Sequence, residues 1–173
     1  MTDKVNQSNG TDEDCGMRPV WLRDLEAREI AYCDGNRVYF CIDRDWCAPE
    51  EDRLGFAGLA RLVECVRQFH WHRDVEPSAG EHTVDSITRS LEMSFLHPIH
   101  CDEVVYGEYT VIDARRCSYK LSVSISDKES DELLALCQLD FAFYGASENA
   151  CVAPPVAVIK GLRALSNMAN RRA

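Results

Sequence analysis

The chain has 173 residues, a formal net charge of −10, 46% hydrophobic residues and 28% charged ones. That length suits one domain with a sizeable core, and the excess of acid excludes a phosphate-backbone binder, because no basic stripe is present to release counterions from a nucleic acid. The longest apolar runs fall well short of the roughly 20 residues that span a bilayer, so a soluble protein with neither membrane nor nucleic acid as a partner is expected.

In chain order, residues 1–16 are polar and acidic and lack the apolar core of a leader, which predicts a disordered tail and a cytoplasmic location. Residues 17–173 then form a single domain. Residues 19–30 carry Val20, Trp21, Leu22, Leu25 and Ile30 among charges and predict a short helix or an extended lead-in. Asp34-Gly35-Asn36 lies between two β-rich runs and predicts a hairpin. The stretch from Asp43 to Asp52 is an acid-dense loop; Asp52 is placed as the cap of the next helix, with Glu50 and Glu51 beside its positive end.

From Asp52 to Asp74, the residues Leu59, Leu62, Val63, Val66, Phe69 and His70 recur at three-and-four spacing. That predicts a helix of about five turns ending near Trp71 or Arg73. Four runs that alternate apolar and polar residues follow, over 86–96, 103–112, 118–125 and 133–144. Breakers at His97-Pro98, 113–116 and 127–130 separate them, so they read as an antiparallel meander. After Pro154-Pro155, Val156 to Met168 predicts a short C-terminal helix. One long helix followed by strands has an economical solution in an α+β architecture, an antiparallel sheet wrapped around the helix and burying its stripe.

Nine cysteines are present. They are scattered and odd in number, with no Cys-x-x-Cys pair and no Cys/His cluster at zinc spacing. No metal and no cofactor are expected. The cysteines read as small apolar residues in a reducing compartment, which predicts a fold indifferent to reducing agent.

The order of hairpin, acidic loop, helix and strands resembles the hotdog-fold acyl-CoA thioesterases of the 4-hydroxybenzoyl-CoA thioesterase type. Arg89-Ser-Leu-Glu-Met-Ser-Phe-Leu-His-Pro-Ile-His-Cys-Asp-Glu is similar to a strand pattern of that family, and the acidic loop feeds a helix with Glu64 in its middle. The likeness spans roughly 38–144. Cys101 stands where the family has glycine, and Asp43-Arg-Asp followed by extra residues stands for its Asp-x-Asp-x-x-Gly-His turn, with no Gly-His pair opening the helix. The resemblance implies a homodimer or higher oligomer with sites at the subunit interface, acting on a thioester of coenzyme A or of an acyl-carrier protein.

Thioester hydrolysis develops an oxyanion, which the unpaired N–H groups at a helix start stabilise. Gly55 and Phe56 are the donors expected. A carboxylate then attacks or activates water. Glu64 is placed first, because it shares a face with the small residues Ala57 and Ala60 that let a ligand or a second chain approach. Asp45 and Asp52 come next, each with a plainer account as a loop or helix-end charge. His70 and Arg89 are the further substrate contacts expected, although His70 on the apolar stripe also reads as a hydrogen-bonded core residue and Arg89 as a solvated one. Two alternatives stand: a hydratase or dehydratase on acyl thioesters, which needs an Asp-His pair, and a non-catalytic acyl-binding or partner-binding protein.

Overall fold

The computed structural model describes residues 32–47, 50–80, 85–145 and 147–170. The acidic tail over 1–16, the lead-in over 19–30 and His82 lie outside the described residues. Strands β1 (Tyr32–Asp34) and β2 (Arg37–Cys41) form the hairpin. Gly35 turns between them at φ 59°, a left-handed conformation that only glycine adopts freely. A 3-10 turn over Arg44–Trp46 follows, then α1 (Phe56–His70), a π-helical turn over Trp71–Val75 and the short α2 (Glu76–Ala79). Four long strands come next, β3 (Asp85–Phe95), β4 (Val104–Ala114), β5 (Ser118–Asp127) and β6 (Leu133–Gly145), then β7 (Ala150–Cys151) and α3 (Val156–Asn170).

The sheet runs β1-β2-β4-β5-β6-β3, with β7 on β6, and every pairing is antiparallel. The expected meander therefore holds for three strands and not for four. β3 docks on β6 at the far edge, with Leu91 opposite Leu139, Met93 opposite Cys137 and Phe95 opposite Ala135. Alternation along β3 shows that it is a strand; it carries no information about which neighbour it chooses.

All six residues of the predicted helical stripe are buried, from Leu59 to His70. They meet the inward residues of the sheet, among them Phe40, Val105, Leu121, Val123, Leu139 and Phe141. Each such side chain contributes about 1.5–3 kcal/mol by leaving water. Helix and sheet pack tightly at Gly107, where an added Cβ would collide with Val66 Cγ2. α3 closes one end of the core with Val158 and Leu162. It is tied to β4 by Arg163 Nε donating to Ala114 O over 3.2 Å and Ser166 Oγ donating to Ile112 O over 2.9 Å.

Two expectations fail in this region. Asp52 does not cap α1; Gly55 occupies that position. Residues 53 and 54 are engaged in isolated antiparallel bridges, Arg53 with His100 and Leu54 with Cys47, so the chain stays extended past Asp52 and turns helical only afterwards. Nor do all cysteines stand alone. Cys47 and Cys101, separated by 54 positions, are joined as a disulfide. Those same bridges bring the two stretches together, and nothing in the sequence spacing signals it.

Candidate active site

The N-terminus of α1 is built into a cavity. A helix leaves its first N–H groups without internal acceptors, and Gly55 offers no side chain to satisfy them. The helix dipole adds positive potential at the same point. The preceding 3-10 turn packs against the first helical turn almost backbone to backbone, since a Cβ at Gly58 would collide with Trp46 O and the Leu54 side chain.

The cavity has a volume of about 440 Å³. One wall is the stretch that leads into the helix, with Glu51, Arg53, Leu54 and Gly55; the other is the end of β3 and its exit, from Phe95 to Pro98. The Arg53 guanidinium donates to the Glu51 carboxylate and holds it below the usual carboxylate range. Leu54 N–H donates to Ile99 O over 2.7 Å, which joins the two walls below the cavity. His97 Nε2 lies 3.4 Å from Glu132 Oε1. The arrangement offers an electropositive floor, a mixed polar wall and an apolar wall of Phe95, Leu96 and Pro98. That chemistry suits an acyl group whose carbonyl oxygen takes on negative charge.

Of the residues expected from the sequence, Gly55 lines this cavity and Phe56 follows it as the first residue of the helix, 71% exposed. Asp52 stands in the entry stretch. Its carboxylate accepts from Arg44 Nη2 over 3.2 Å, and its carbonyl accepts from His100 Nδ1 over 3.0 Å. Asp45 sits further back in the 3-10 turn, where its N–H donates to Asp43 Oδ1 over 3.1 Å, so Asp43 is the capping acid there. Glu64 is about two and a half turns along α1, about 13 Å from Gly55 at the helical rise. Its carboxylate accepts from Arg67 Nε over 2.7 Å and from Gln68 Nε2 over 3.1 Å. Arg89 is the bulged residue of β3 between Thr88 and Ser90, about 20 Å of strand from Phe95.

His70 lies at the opposite end of the helix, with no exposed surface. Its Nδ1 is 3.1 Å from Asp74 Oδ2, and its ring packs 4.5 Å from that of Tyr109. Arg73 Nε donates to Asp74 Oδ1 over 3.0 Å and the Tyr109 hydroxyl donates to Asp74 Oδ2. Burial pushes His70 below its ordinary value, which keeps the imidazole neutral. Burial also works against ionised Asp74, but hydrogen bonds from His70, Arg73 and Tyr109 outweigh it and hold the carboxyl down at about 2. This network lies away from the cavity, and the buried His70 Nε2 has no hydrogen-bond partner among the described residues.

The cavity residues Arg53, Phe95, Leu96 and His97 were not among the leading sequence candidates. The His97-Pro98 breaker marked a turn after a strand. The pairing of Arg53 with His100 and of Leu54 N–H with Ile99 O brings this turn to face the helix start.

A curled antiparallel sheet around one long central helix, with a cavity at the start of that helix, is the hotdog fold. Among solved structures that share it is a 1,4-dihydroxy-2-naphthoyl-CoA thioesterase from Synechocystis, 14% identical, with a TM-score of 0.63, covering 75% of this chain and 96% of that one. A Staphylococcus aureus protein in complex with CoA is 9% identical with a TM-score of 0.68, over 76% of this chain and 84% of that one. A Thermus thermophilus thioesterase complexed with coenzyme A and Zn is 16% identical with a TM-score of 0.63, over 76% and 93%. No family model matches the sequence, and no curated protein does.

Proposed function

We propose that this protein is an acyl thioester hydrolase, acting on thioesters of coenzyme A or of an acyl-carrier protein in the cytoplasm, as a homodimer or larger homo-oligomer of single-domain chains. The observation that carries this reading is the cavity where an uncapped helix start, a carboxylate-bearing wall and an apolar wall meet. Support also comes from the fold, shared with proteins described as thioesterases and with two structures that hold coenzyme A.

In this reading the carbonyl oxygen of the thioester lies against the N–H groups of Phe56 and the next residues, and those groups stabilise the oxyanion. Asp52 is the carboxylate that attacks or activates water. It is three residues from Gly55, and its charged partner among the described residues, Arg44, forms an exposed pair that costs little to open. Asp52 stands in the entry stretch between the lining residues Glu51 and Arg53, so its carboxylate has to swing from Arg44 toward the cavity. Glu51, which lines the cavity, is closed by Arg53, and Glu64 is fixed by two neighbours on its own helix. No helix among the described residues is long and apolar enough to cross a membrane.

Oligomer formation is supported by β3, an 11-residue edge strand whose Ile87, Leu91 and Phe95 are 44%, 39% and 43% exposed. A second copy laid along it covers them. Because Phe95 also lines the cavity, the partner then completes the site.

The experiment is thiol release from a panel of acyl-CoA and acyl-carrier thioesters, with Asp52→Asn, Glu51→Gln, Glu64→Gln and Asp45→Asn compared in single turnover. Asp52→Asn is expected to lose at least about 100-fold, the scale of a lost general base. Absence of thiol release from every substrate by folded wild-type protein, together with tight binding of coenzyme A, makes this a binding protein instead.

A further inference from the structure

The disulfide between Cys47 and Cys101 joins the two stretches that flank one wall of the cavity. The two Cα atoms are 6.6 Å apart, within the span of such a bond. Cys47 bridges Leu54, and Arg53 bridges His100. Cys101 N–H donates to Asp52 O over 3.4 Å, next to the bond from Leu54 N–H to Ile99 O. Residues 52–54 are thus held on one side by the stretch ending at Cys47 and on the other by the stretch ending at Cys101, and the disulfide links those two stretches.

We propose that Cys47 and Cys101 form a reversible redox cross-link whose oxidation state sets the rigidity of the cavity wall at 51–55. In oxidation both thiols lose their protons, the S–S bond forms, and the two electrons pass to a low-molecular-weight disulfide, which departs as two thiols; a dithiol reverses the step. In a reducing compartment a disulfide persists only while an oxidant maintains it, so the bond there is a state and not a fixture. Cys47 is half-buried and is the sulfur that an outside thiolate reaches; Cys101 is 9% exposed and leaves. Cys65 and Cys137 make poor competitors, since burial pushes both thiols up to about 11. After reduction the two bridges and their hydrogen bonds remain, so the wall loosens without collapsing. The inference uses the proposed hydrolase activity only as one readout.

The test takes full-length protein through glutathione buffers from reducing to oxidising, traps free thiols by alkylation and quantifies the Cys47 to Cys101 cross-linked peptide by mass spectrometry. Hydrogen exchange at residues 52–55 and hydrolysis of hexanoyl-coenzyme A are measured on the same samples. Cross-linked peptide is expected to accumulate at the oxidising end, with amide exchange at 52–55 slowed at least several-fold and KM lower than in the reduced protein. Cys47→Ser and Cys101→Ser are expected to show the fast exchange in every buffer. No cross-linked peptide at the oxidising end, or identical exchange in both states, overturns the inference. A change in exchange without hydrolysis in either state upholds it and removes the thioesterase reading instead.

Discussion

His70 Nδ1 lies 3.1 Å from Asp74 Oδ2, one turn further along the chain, with the imidazole wholly buried and the carboxylate held also by Arg73 and Tyr109. The stripe of α1 thus ends in a polar residue that is satisfied locally at Nδ1 through the π-helical turn.

This pair predicts a pH dependence of stability. The folded His70 has a lowered pKa because of burial, while the unfolded chain titrates near 6.5. Below about pH 6.5 the unfolded state therefore binds a proton that the folded state refuses, and stability falls as pH falls, by up to about 1.4 kcal/mol per pH unit. Asp74, held down at about 2 from 3.8, adds stability above 3.8 that is lost as pH drops toward 2. Urea midpoints from pH 8 to 4 check this: His70→Leu is expected to flatten the loss between pH 6.5 and 5. An equal slope in wild type and variant sinks the assignment.

The disulfide predicts an effect on global stability opposite to the expectation from cysteine spacing. A link across 54 positions restricts the unfolded chain by about 4 kcal/mol on the chain-entropy account. At about 2–4 °C per kcal/mol for a domain of this size, dithiothreitol is expected to lower Tm by on the order of 10 °C. The double variant Cys47→Ser/Cys101→Ser should show no response. An unchanged wild-type Tm would restore the sequence expectation.

Two helical glycines predict opposite signs. Gly58→Ala drives a methyl group into Trp46 O and Leu54 and is expected to destabilise by about 1–3 kcal/mol. At Gly161 in α3 a Cβ meets only Ser78 Oγ, at 3.4 Å, so Gly161→Ala should stabilise by about 0.5–1 kcal/mol through helix propensity. Chemical denaturation of both variants decides; the same sign in both contradicts the packing account.

The edge strand predicts that Leu91→Lys disrupts assembly without unfolding the chain, since exposed substitutions change stability by only about 0.5 kcal/mol. Sedimentation should find a folded monomer, with hydrolysis reduced along with it. A monomeric wild type that remains fully active would rule out a site shared between copies.

Elements whose pattern is local were legible in the sequence. The stripe from Leu59 to His70 named the buried face of α1 residue by residue, and Pro154-Pro155 with the spacing after it gave α3. What the sequence withheld is long-range pairing. The position of β3 beside β6, the cap at Gly55 in place of Asp52, and the meeting of Cys47 with Cys101 all depend on which strand or loop lies across from which. For the candidate site, Gly55 was singled out because a glycine near a helix start lets a substrate come close; the structure puts it at the cap itself, three residues beyond the start expected at Asp52. The opposing wall from Phe95 to Pro98 faces it through long-range pairing, the bridge of Arg53 to His100 and the bond from Leu54 N–H to Ile99 O.

The place of β3 beside β6 also sets an order of events during synthesis. β3 leaves the ribosome before β4, β5 and β6 exist, and β6, its one strand neighbour among the described residues, is made last of the four. At the usual rate of about 5–20 residues per second, its apolar face waits for about 2 to 10 seconds without a partner. Pairing across so much sequence makes folding slow, and a nascent chain stalled in that interval presents a long unpaired edge. Chaperone demand and aggregation during expression should therefore peak when ribosomes pause between β3 and β6, and codon choice over 96–132 becomes a lever on soluble yield.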